Sequence, residues 1–299
     1  MAEKENLRSE GEALELFLAE LESNRNVKQI SGWTSGFENL DRALDGVLPG
    51  VYLCIGRPGS GKTSFARQLL DQVIQLNQIP GIFFSFSESA KDLRLKTLAR
   101  LTGMETRELR RGSAYLLHWY GVPKRAGASE ELPPSWEKVR MAAESARPWL
   151  ELTYIVECGR ETAIETIEET VRAVMDRHAA TGAMVIIDDS HRLAGNGAAA
   201  DQRLSGVVDR LKDVARNMNA AVVAVWPDLS GNAEPEPAMW AERMPGADVV
   251  IVFEANRERK SPDPNQEGLI LSIVKNRGGE KGKLGFDFFP PLGKFQEAR

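Results

Sequence analysis

The sequence is poor in cysteine and contains no long apolar run. Its two cysteines, Cys54 and Cys158, each lie in an apolar, strand-like segment, and their spacing matches neither a disulfide framework nor a metal site. We interpret both as core residues of a protein in a reducing compartment. No apolar stretch approaches the ~20 residues that span a bilayer, and the charged segment Met1 to Arg8 lacks the apolar core of a signal peptide. We therefore expect a cytoplasmic protein without membrane contact.

The chain also lacks an excess of basic residues. Its net charge is −5 at pH 7, so it has no general attraction for nucleic acid, and any contact with DNA requires a local basic patch. What is present is an ordinary globular composition, 42% hydrophobic and 27% charged, over 299 residues. That length suits one large domain or two small ones, and we find no internal repeat and no second core.

A short amphipathic helix is predicted near the N-terminus. Four large apolar residues recur there at helical spacing, with glutamates on the opposite face: Leu14, Phe17, Leu18 and Leu21. Such a helix must pack its apolar stripe against its own domain or against a neighbouring subunit. We expect residues 1–30 to form this helix and a linker, and residues 31–299 to form one domain.

A glycine-rich segment fits the phosphate-binding (Walker A) pattern G-x-x-x-x-G-K-[ST] at every fixed position. Its residues, with the first residue after it, are Gly56, Arg57, Pro58, Gly59, Ser60, Gly61, Lys62, Thr63 and Ser64. It follows a short apolar run and precedes a predicted helix, which is the context the pattern requires. The loop amides and the helix N-terminus favour an anion. Lys62 would reach the outer phosphates of ATP, and the Thr63 hydroxyl would ligate Mg²⁺. The alternative is a glycine-rich turn with a surface lysine.

Two further segments end in acids at positions suited to phosphate chemistry. The β-branched run from Met184 to Asp189 predicts a strand buried on both faces. Asp188 at its end would lie beside the phosphate loop and hold Mg²⁺ through water, and Asp189 is a candidate base or outer acid. Glu88 follows another predicted strand, at the edge where parallel sheets bind ligands. It either polarises the attacking water or charges the first turn of the next helix.

The predicted elements alternate between strand and helix and end in antiparallel strands. This order predicts an α/β domain with a mainly parallel central sheet flanked by helices. In the segment before the phosphate loop, Thr34 or Ser35 is predicted to cap a helix that runs through Leu44.

With these segments placed, residues 30–297 resemble the motor domain of DnaB-type replicative helicases, a branch of the RecA-like P-loop ATPases. The likeness rests on stretches similar to that family's motifs. These are 31–41 ("TGxxTGFxxLD"), 84–89 ("FSLEMS"), Asp188 in "IDYLQL", 211–219 ("LKxLAKELN"), 247–250 ("ADVV") and 275–279 ("KxRxG"). Jointly they are more specific than the phosphate loop alone.

The resemblance implies a ring-forming ATPase, typically a homohexamer, that acts on single-stranded DNA as a helicase in DNA replication, with ATP and Mg²⁺ as cofactors. It implies that Lys275 and Arg277 reach the γ-phosphate held by the adjacent subunit, with Arg277 as the arginine finger. A guanidinium supplied by a neighbour stabilises charge on the transferring phosphoryl group. The alternative is that both residues merely flank a turn. The N-terminal helix would match the family's linker helix, and we expect the chain to lack the family's separate N-terminal domain.

Departures from the family pattern concern the catalytic acid and the phosphate sensor. Ser87 occupies the position of the family's catalytic glutamate, and Glu88 comes one residue later. Because side chains alternate along a strand, Glu88 can serve only if the strand ends before it. In KaiC- and RadA-like relatives two adjacent acids occupy this place, and Glu88 would be the second. His191 replaces a glutamine and can still bond a phosphate.

Residues available for DNA contact are few. The candidates are Arg192, Arg203, Arg210 and Arg243, each of which more often belongs to a solvated surface. The competing hypothesis is therefore a KaiC- or RadA-like ATPase that uses nucleotide for assembly or regulation. A third hypothesis is an ordinary P-loop kinase, and the Lys275 and Arg277 signature argues against it.

Overall fold

The computed structural model describes residues 30–111, 135–194, 200–228, 237–256, 259 and 263–298, with scattered positions between 9 and 22. Its described helices are α1 (Glu38–Leu44), α2 (Lys62–Asn77), α3 (Ala90–Thr102), α4 (Thr106–Arg111), α5 (Ser135–Leu150), α6 (Ile164–His178), α7 (Ala200–Asn217) and α8 (Pro237–Arg243). Its described strands are β1 (Gly50–Gly56), β2 (Gly81–Ser85), β3 (Thr153–Glu157), β4 (Ala183–Asp188), β5 (Ala220–Pro227), β6 (Val249–Ala255), β7 (Glu267–Asn276), β8 (Gly282–Phe289) and β9 (Lys294–Glu297). Two short 3₁₀ helices, Ser190–Ala194 and Pro290–Leu292, follow β4 and β8.

The described strands form one sheet in the order β3-β2-β4-β5-β1-β6-β7-β8-β9. The pairings from β3 to β6 are parallel, and those from β6 to β9 are antiparallel. Parallel neighbours require crossover connections, which helices supply here, whereas antiparallel strands such as β7, β8 and β9 can follow one another through short connections. The predicted fold class is confirmed.

The strand that precedes the phosphate loop is buried on both faces. Tyr52 and Cys54 of β1 point into one apolar cluster, and Val51, Leu53 and Ile55 point into the other. This alternation is the expected consequence of a two-residue side-chain period in a sheet covered by helices on both sides. Helices α1, α2, α3 and α5 cover the first face, and α6, α7 and α8 cover the second. Cys54 is a core residue as predicted, whereas Cys158 is only half-buried.

An aromatic cluster fixes α2 against the C-terminal strands. The ring of Phe65 lies 5.6 Å from Phe37, 5.3 Å from Phe253, 6.0 Å from Phe286 and 5.4 Å from Phe295, measured between centroids. Three of these pairs are edge-to-face, the arrangement that aromatic quadrupoles favour. The cluster therefore holds the helix that begins with Lys62 and Thr63 in a fixed place on the sheet.

The predicted cap of the first helix is wrong. Helix α1 begins at Glu38 with Phe37 as its N-cap, and no side chain of the N-cap residue bonds the helix. The Ser35 hydroxyl is buried and accepts the Phe37 N–H at 3.1 Å, so it shapes the turn before the helix. Instead, the Glu297 carboxylate accepts the N–H groups of Asn39 and Leu40 at 2.8 and 3.1 Å. A distant carboxylate thus satisfies donors that a local cap usually takes.

The N-terminal segment is described only in part. Leu14 and Leu18 are exposed, while Phe17 and Leu21 of the predicted stripe lie outside the described residues. The division between residues 1–30 and 31–299 stays a prediction. No helix in the described part of the chain has the length and apolar character needed to cross a membrane.

Candidate active site

The phosphate loop joins the central strand to a buried helix, as predicted. β1 ends at Gly56 and α2 begins at Lys62. Gly59 and Gly61 have φ angles of +82° and +83°, a region that residues with a side chain rarely adopt. A Cβ atom on Gly61 would also lie 2.8 Å from the Phe295 ring. The loop conformation therefore depends on glycine at these positions.

Lys62 is folded onto its own loop. Its ammonium group donates to the carbonyl oxygens of Gly56 and Arg57, both at 2.7 Å. Burial lowers the pKa of Lys62, and the nearby carboxylates of Asp188 and Asp189 oppose that shift. The ammonium also lies 3.5 Å from the Ser60 hydroxyl. An ammonium held by neutral oxygens can exchange them for phosphate oxygens. The residue is placed for the role that the motif predicts.

Asp188 provides a buried carboxylate beside this loop. It ends β4 at the level of Ser85 on β2, and neither of its oxygens has a hydrogen-bond partner among the described residues. Burial raises the pKa of this carboxyl to about 7, opposed by the Thr63 hydroxyl and reinforced by the charges of Asp189 and Glu88. Two free carboxylate oxygens near a threonine hydroxyl form a donor set that suits Mg²⁺. A bound cation would favour the ionised form.

The strand before Glu88 ends early enough for this residue to face the site. β2 stops at Ser85, whose hydroxyl donates to the Glu88 carbonyl at 2.7 Å and accepts the Glu88 N–H at 3.2 Å. One carboxylate oxygen of Glu88 lies 2.5 Å from the Lys96 ammonium. The other is buried without a hydrogen-bond partner in the described residues. Because the chain has left the strand, the alternation that would turn Glu88 away does not apply.

One cleft brings most of these groups together. Its volume is about 550 Å³, and it is lined by the side chains of Lys62, Thr63, Glu88, Asp189 and His191, among others. Its lining also includes Pro227 of β5, Phe288 of β8 and Pro290 of the turn after β8. A cleft of this size, lined by both polar and apolar groups, is typical of a small-ligand site.

His191 reaches the same cleft from the 3₁₀ helix that follows β4. Its ring lies 5.9 Å from the Trp226 ring in an edge-on contact, and its Nδ1 atom is buried with no partner in the described residues. Burial lowers the pKa of His191. A neutral imidazole with one unused nitrogen can exchange a hydrogen bond with a phosphate.

Lys275 and Arg277 lie at the other end of the parallel strands from the phosphate loop. The Arg277 N–H donates to the Asp248 carbonyl at 2.9 Å, and the Asp248 N–H donates to Val51 at the start of β1, also at 2.9 Å. Gly56 is five positions after Val51, a rise of about 16 Å along a strand. Neither cation is therefore close to the phosphate loop of its own chain.

Nearby groups of the same chain bind both cations at that end of the strands. The Lys275 ammonium donates to the carbonyls of Met244 and Pro245 at 2.9 and 2.8 Å. Burial lowers the pKa of Lys275, and the charge of Arg277 lowers it further. The Arg277 guanidinium pairs with the Asp248 carboxylate at 2.9 Å and remains more than half exposed.

The candidate DNA residues stand on three elements, and two of them, Arg203 and Arg210, share α7. Arg192 is exposed on the 3₁₀ helix after β4. Arg210 of α7 pairs with Glu165, and Arg243 lies over the Trp240 ring at 5.5 Å. The side chain of Arg203 lies outside the described residues. Their role in DNA contact stays a prediction.

The sequence motifs did not identify two residues of the candidate site. Lys96 is a mid-helix lysine that no local pattern distinguishes, and only the packing of α3 brings it to Glu88. Asp248 falls within the family-like stretch 247–250, but the sequence does not reveal that its carboxylate meets Arg277. A pairwise contact between distant segments was the missing signal in both cases.

A parallel sheet with a complete phosphate loop after its central strand β1, and an acid at the end of β4, two strands away, is typical of P-loop nucleotide-binding proteins. The model of the family described as DnaB-like helicase C terminal domain matches residues 32–297, and the chain belongs to this family. The resemblance seen in the sequence is confirmed.

Curated relatives and solved structures agree with this assignment. The chain is 24% identical over 294 residues to a probable replicative DNA helicase of Trieres chinensis, covering 93% of this chain and 60% of the relative. It is 24% identical to the replicative DNA helicase DnaB of Geobacillus stearothermophilus over 280 residues, covering 89% and 57%. The chain thus spans at most about 60% of these relatives.

The similar structures establish the fold. One is a solved ATPase domain that superposes with a TM-score of 0.76 at 20% identity, covering 98% of this chain and 100% of that one. A DnaB-like replicative helicase, solved in a study of its interactions with primase, also gives 0.76 at 21% identity, covering 97% and 69%. The RecA-like arrangement of sheet and helices is confirmed.

Proposed function

We propose that this chain hydrolyses ATP with Mg²⁺ at a site shared between subunits of a ring. The observation that best supports this proposal is that charged groups lie at both ends of the parallel strands. Lys62, Thr63 and Glu88 line a single cleft, whereas Lys275 and Arg277 lie at the far end. In a head-to-tail ring, the end of one subunit that carries Lys275 and Arg277 would face the cleft of the next.

Each residue has a chemical task in this proposal. The loop amides and Lys62 bind the β- and γ-phosphates, and the unpartnered carboxylate oxygen of Glu88 orients a water in line with the γ-phosphorus. His191 monitors the γ-phosphate through its free ring nitrogen. Lys275 and Arg277 of the neighbour stabilise the charge that develops on the transferred phosphoryl group. Thr63 and Asp188 would hold Mg²⁺, which neutralises phosphate charge when it is bound.

We further propose that the ring is a cytoplasmic homohexamer that moves on single-stranded DNA as a replicative helicase. Family membership and the replicative helicases among its relatives support this part. The candidate contacts are Arg192, Arg203 and Arg243, whose charges would meet the DNA backbone.

A second candidate function is an assembly or regulatory ATPase of the KaiC- or RadA-like kind, without helicase activity. The observation in its favour is the changed catalytic position, with Ser87 exposed and Glu88 tied to Lys96. The engagement of Arg210 with Glu165 also weakens the case for a DNA groove.

Two measurements on the whole chain separate these functions. The first is mass with and without ATP and Mg²⁺, in the presence of a fluorescent single strand. The second is the ATPase rate with and without that strand at low salt. Helicase function predicts ring assembly, strand binding and faster hydrolysis with DNA. Assembly with slow hydrolysis and no strand binding supports the second candidate and contradicts the first.

A further inference from the structure

The carboxylate of Asp248 lies at the centre of the distant cation cluster. Its Oδ1 atom accepts from the Arg277 guanidinium at 2.9 Å and from the Lys212 ammonium at 3.2 Å. Its Oδ2 atom accepts the backbone N–H of Val51 at 3.0 Å. Three elements, β1, α7 and the turn after β7, therefore meet at one side chain.

The surroundings leave this carboxylate as the anionic partner of two cations. Lys212 also donates to the Gly246 carbonyl at 3.0 Å, and Lys275 is satisfied by the carbonyls of Met244 and Pro245. Carbonyl dipoles stabilise both lysines but carry no net charge. The three cations of the cluster thus outnumber the carboxylates beside them, Asp248 and Asp209, and that excess suits an incoming phosphate.

The pairing restricts Arg277 without covering it. The Arg277 side chain is 57% exposed, whereas that of Asp248 is 20% exposed. A free arginine side chain samples many rotamers, and ordering it at the moment of reaction is unfavourable. A guanidinium has five N–H donors, so one side can bond Asp248 while the other remains free for a phosphate.

We propose that Asp248 is a positioning residue that orients Arg277 toward the nucleotide bound by the neighbouring subunit. The inference rests on the proposed function, because it requires that Arg277 act in trans. Asp248 is anchored to β1 through Val51, so the guanidinium is held relative to the sheet and not to a mobile loop. Asp248 itself touches no nucleotide in this account.

The substitution Asp248→Asn separates positioning from folding. An asparagine oxygen still accepts the Val51 N–H, and the backbone bonds at this position do not involve the side chain. What is lost is the charge that holds the Arg277 guanidinium. Asp213→Asn is the matched control, because Asp213 is an exposed acid on α7 that pairs with Arg216 instead.

The expected result concerns kcat more than KM. Because a small misplacement of a catalytic group is costly, Asp248→Asn should lower kcat roughly 10- to 100-fold, with KM for ATP and the affinity for a non-hydrolysable analogue little changed. Asp248→Glu restores the charge and should recover most of the loss. Asp213→Asn should match the unaltered protein. Thermal unfolding of each variant reports whether the fold is kept.

Mixed rings then decide where Asp248 acts. Subunits carrying Lys62→Ala cannot bind nucleotide but present an intact Asp248 and Arg277 to the next subunit. Mixing them with Asp248→Asn subunits should restore hydrolysis. The intact cleft of an Asp248→Asn subunit then meets the correctly positioned Arg277 of a Lys62→Ala subunit. If Asp248→Asn does not fold, Asp248→Ser, which also removes the charge, is mixed in its place and should recover in the same way.

A parallel mixture of Lys62→Ala with Arg277→Ala subunits shows what a lack of recovery in the Asp248→Asn mixture means. Recovery in that mixture but not in the Asp248 mixture would overturn the positioning role, since Asp248 would then act within its own subunit. An unchanged kcat for folded Asp248→Asn would also overturn it. Recovery in neither mixture would overturn the shared site, and with it the inference.

Discussion

The Lys96 ammonium lies 2.5 Å from one carboxylate oxygen of Glu88, at the rim of the nucleotide cleft. Because β2 ends at Ser85, this contact holds Glu88 in a turn and not on the reverse face of a strand. The exposed Ser87, one residue before Glu88, lines the same cleft. The cleft thus holds a carboxylate one residue after the position of the family's catalytic glutamate, and in the proposed function Glu88 takes that role.

Glu88→Gln should abolish most hydrolysis while nucleotide binding persists. Loss of the group that orients and activates water typically costs a factor of ~10² to 10⁴ in rate. Ser87→Ala is the control and should stay within about twofold, since a hydroxyl at an exposed position makes no transition-state contact in this account. Single-turnover ATPase assays with equilibrium binding measure both. A larger loss for Ser87→Ala than for Glu88→Gln would show that Glu88 is not the catalytic acid.

Lys96→Met should reduce kcat by about tenfold, because Glu88 loses the contact that orients it. Lys96→Arg keeps the positive charge and should retain most of the activity. The affinity for ATP is measured beside kcat. A Lys96→Met protein that is as fast as the unaltered one would show that the ion pair is not used in hydrolysis.

Gly61→Ala should be more destabilising than Gly59→Ala. Both residues have a positive φ, at which an alanine costs about 1–2 kcal/mol. Only at Gly61 does the added Cβ meet an aromatic ring, at 2.8 Å from Phe295, whereas nothing lies within 4 Å at Gly59. Overpacking adds about 1–3 kcal/mol. Urea denaturation of both variants should rank them in this order, and equal losses would contradict the packing argument.

Asp71→Asn should be strongly destabilising because it leaves two buried guanidinium groups without their shared partner. Arg67 and Arg100 both pair with Asp71, and all three side chains are less than 10% exposed. Removing one member of a buried ion pair typically costs about 3–5 kcal/mol. Glu38→Gln breaks the exposed pair with Arg42 and serves as the control, with little change expected. Equal denaturation midpoints for the two variants would refute this prediction.

The sequence could predict what local patterns encode. The phosphate loop is a contiguous pattern, and the strand ending at Asp188 is recognised by its β-branched run, so both were found where the structure places them. The alternation of strands and helices likewise predicted the parallel sheet. These features need no information about distant residues.

What the sequence could not predict depends on long-range contacts. The helix-cap prediction failed because Ser35 is buried in a turn, while Glu297, far along the chain, supplies the carboxylate for Asn39. The ion pair between Glu88 and Lys96 depends on how α3 packs, and the Asp248 cluster joins residues from segments distant in sequence. No periodicity or motif encodes such pairings.

The most direct test of the shared site mixes two inactive proteins. Lys62→Ala subunits lack a working nucleotide cleft, and Arg277→Ala subunits lack the finger. The account predicts that each is inactive alone and that ATPase activity appears on mixing, with a maximum at intermediate ratios, because some interfaces then join an intact cleft to an intact Arg277. Activity that stays at the level of the separate variants at every ratio would contradict a site built from two subunits.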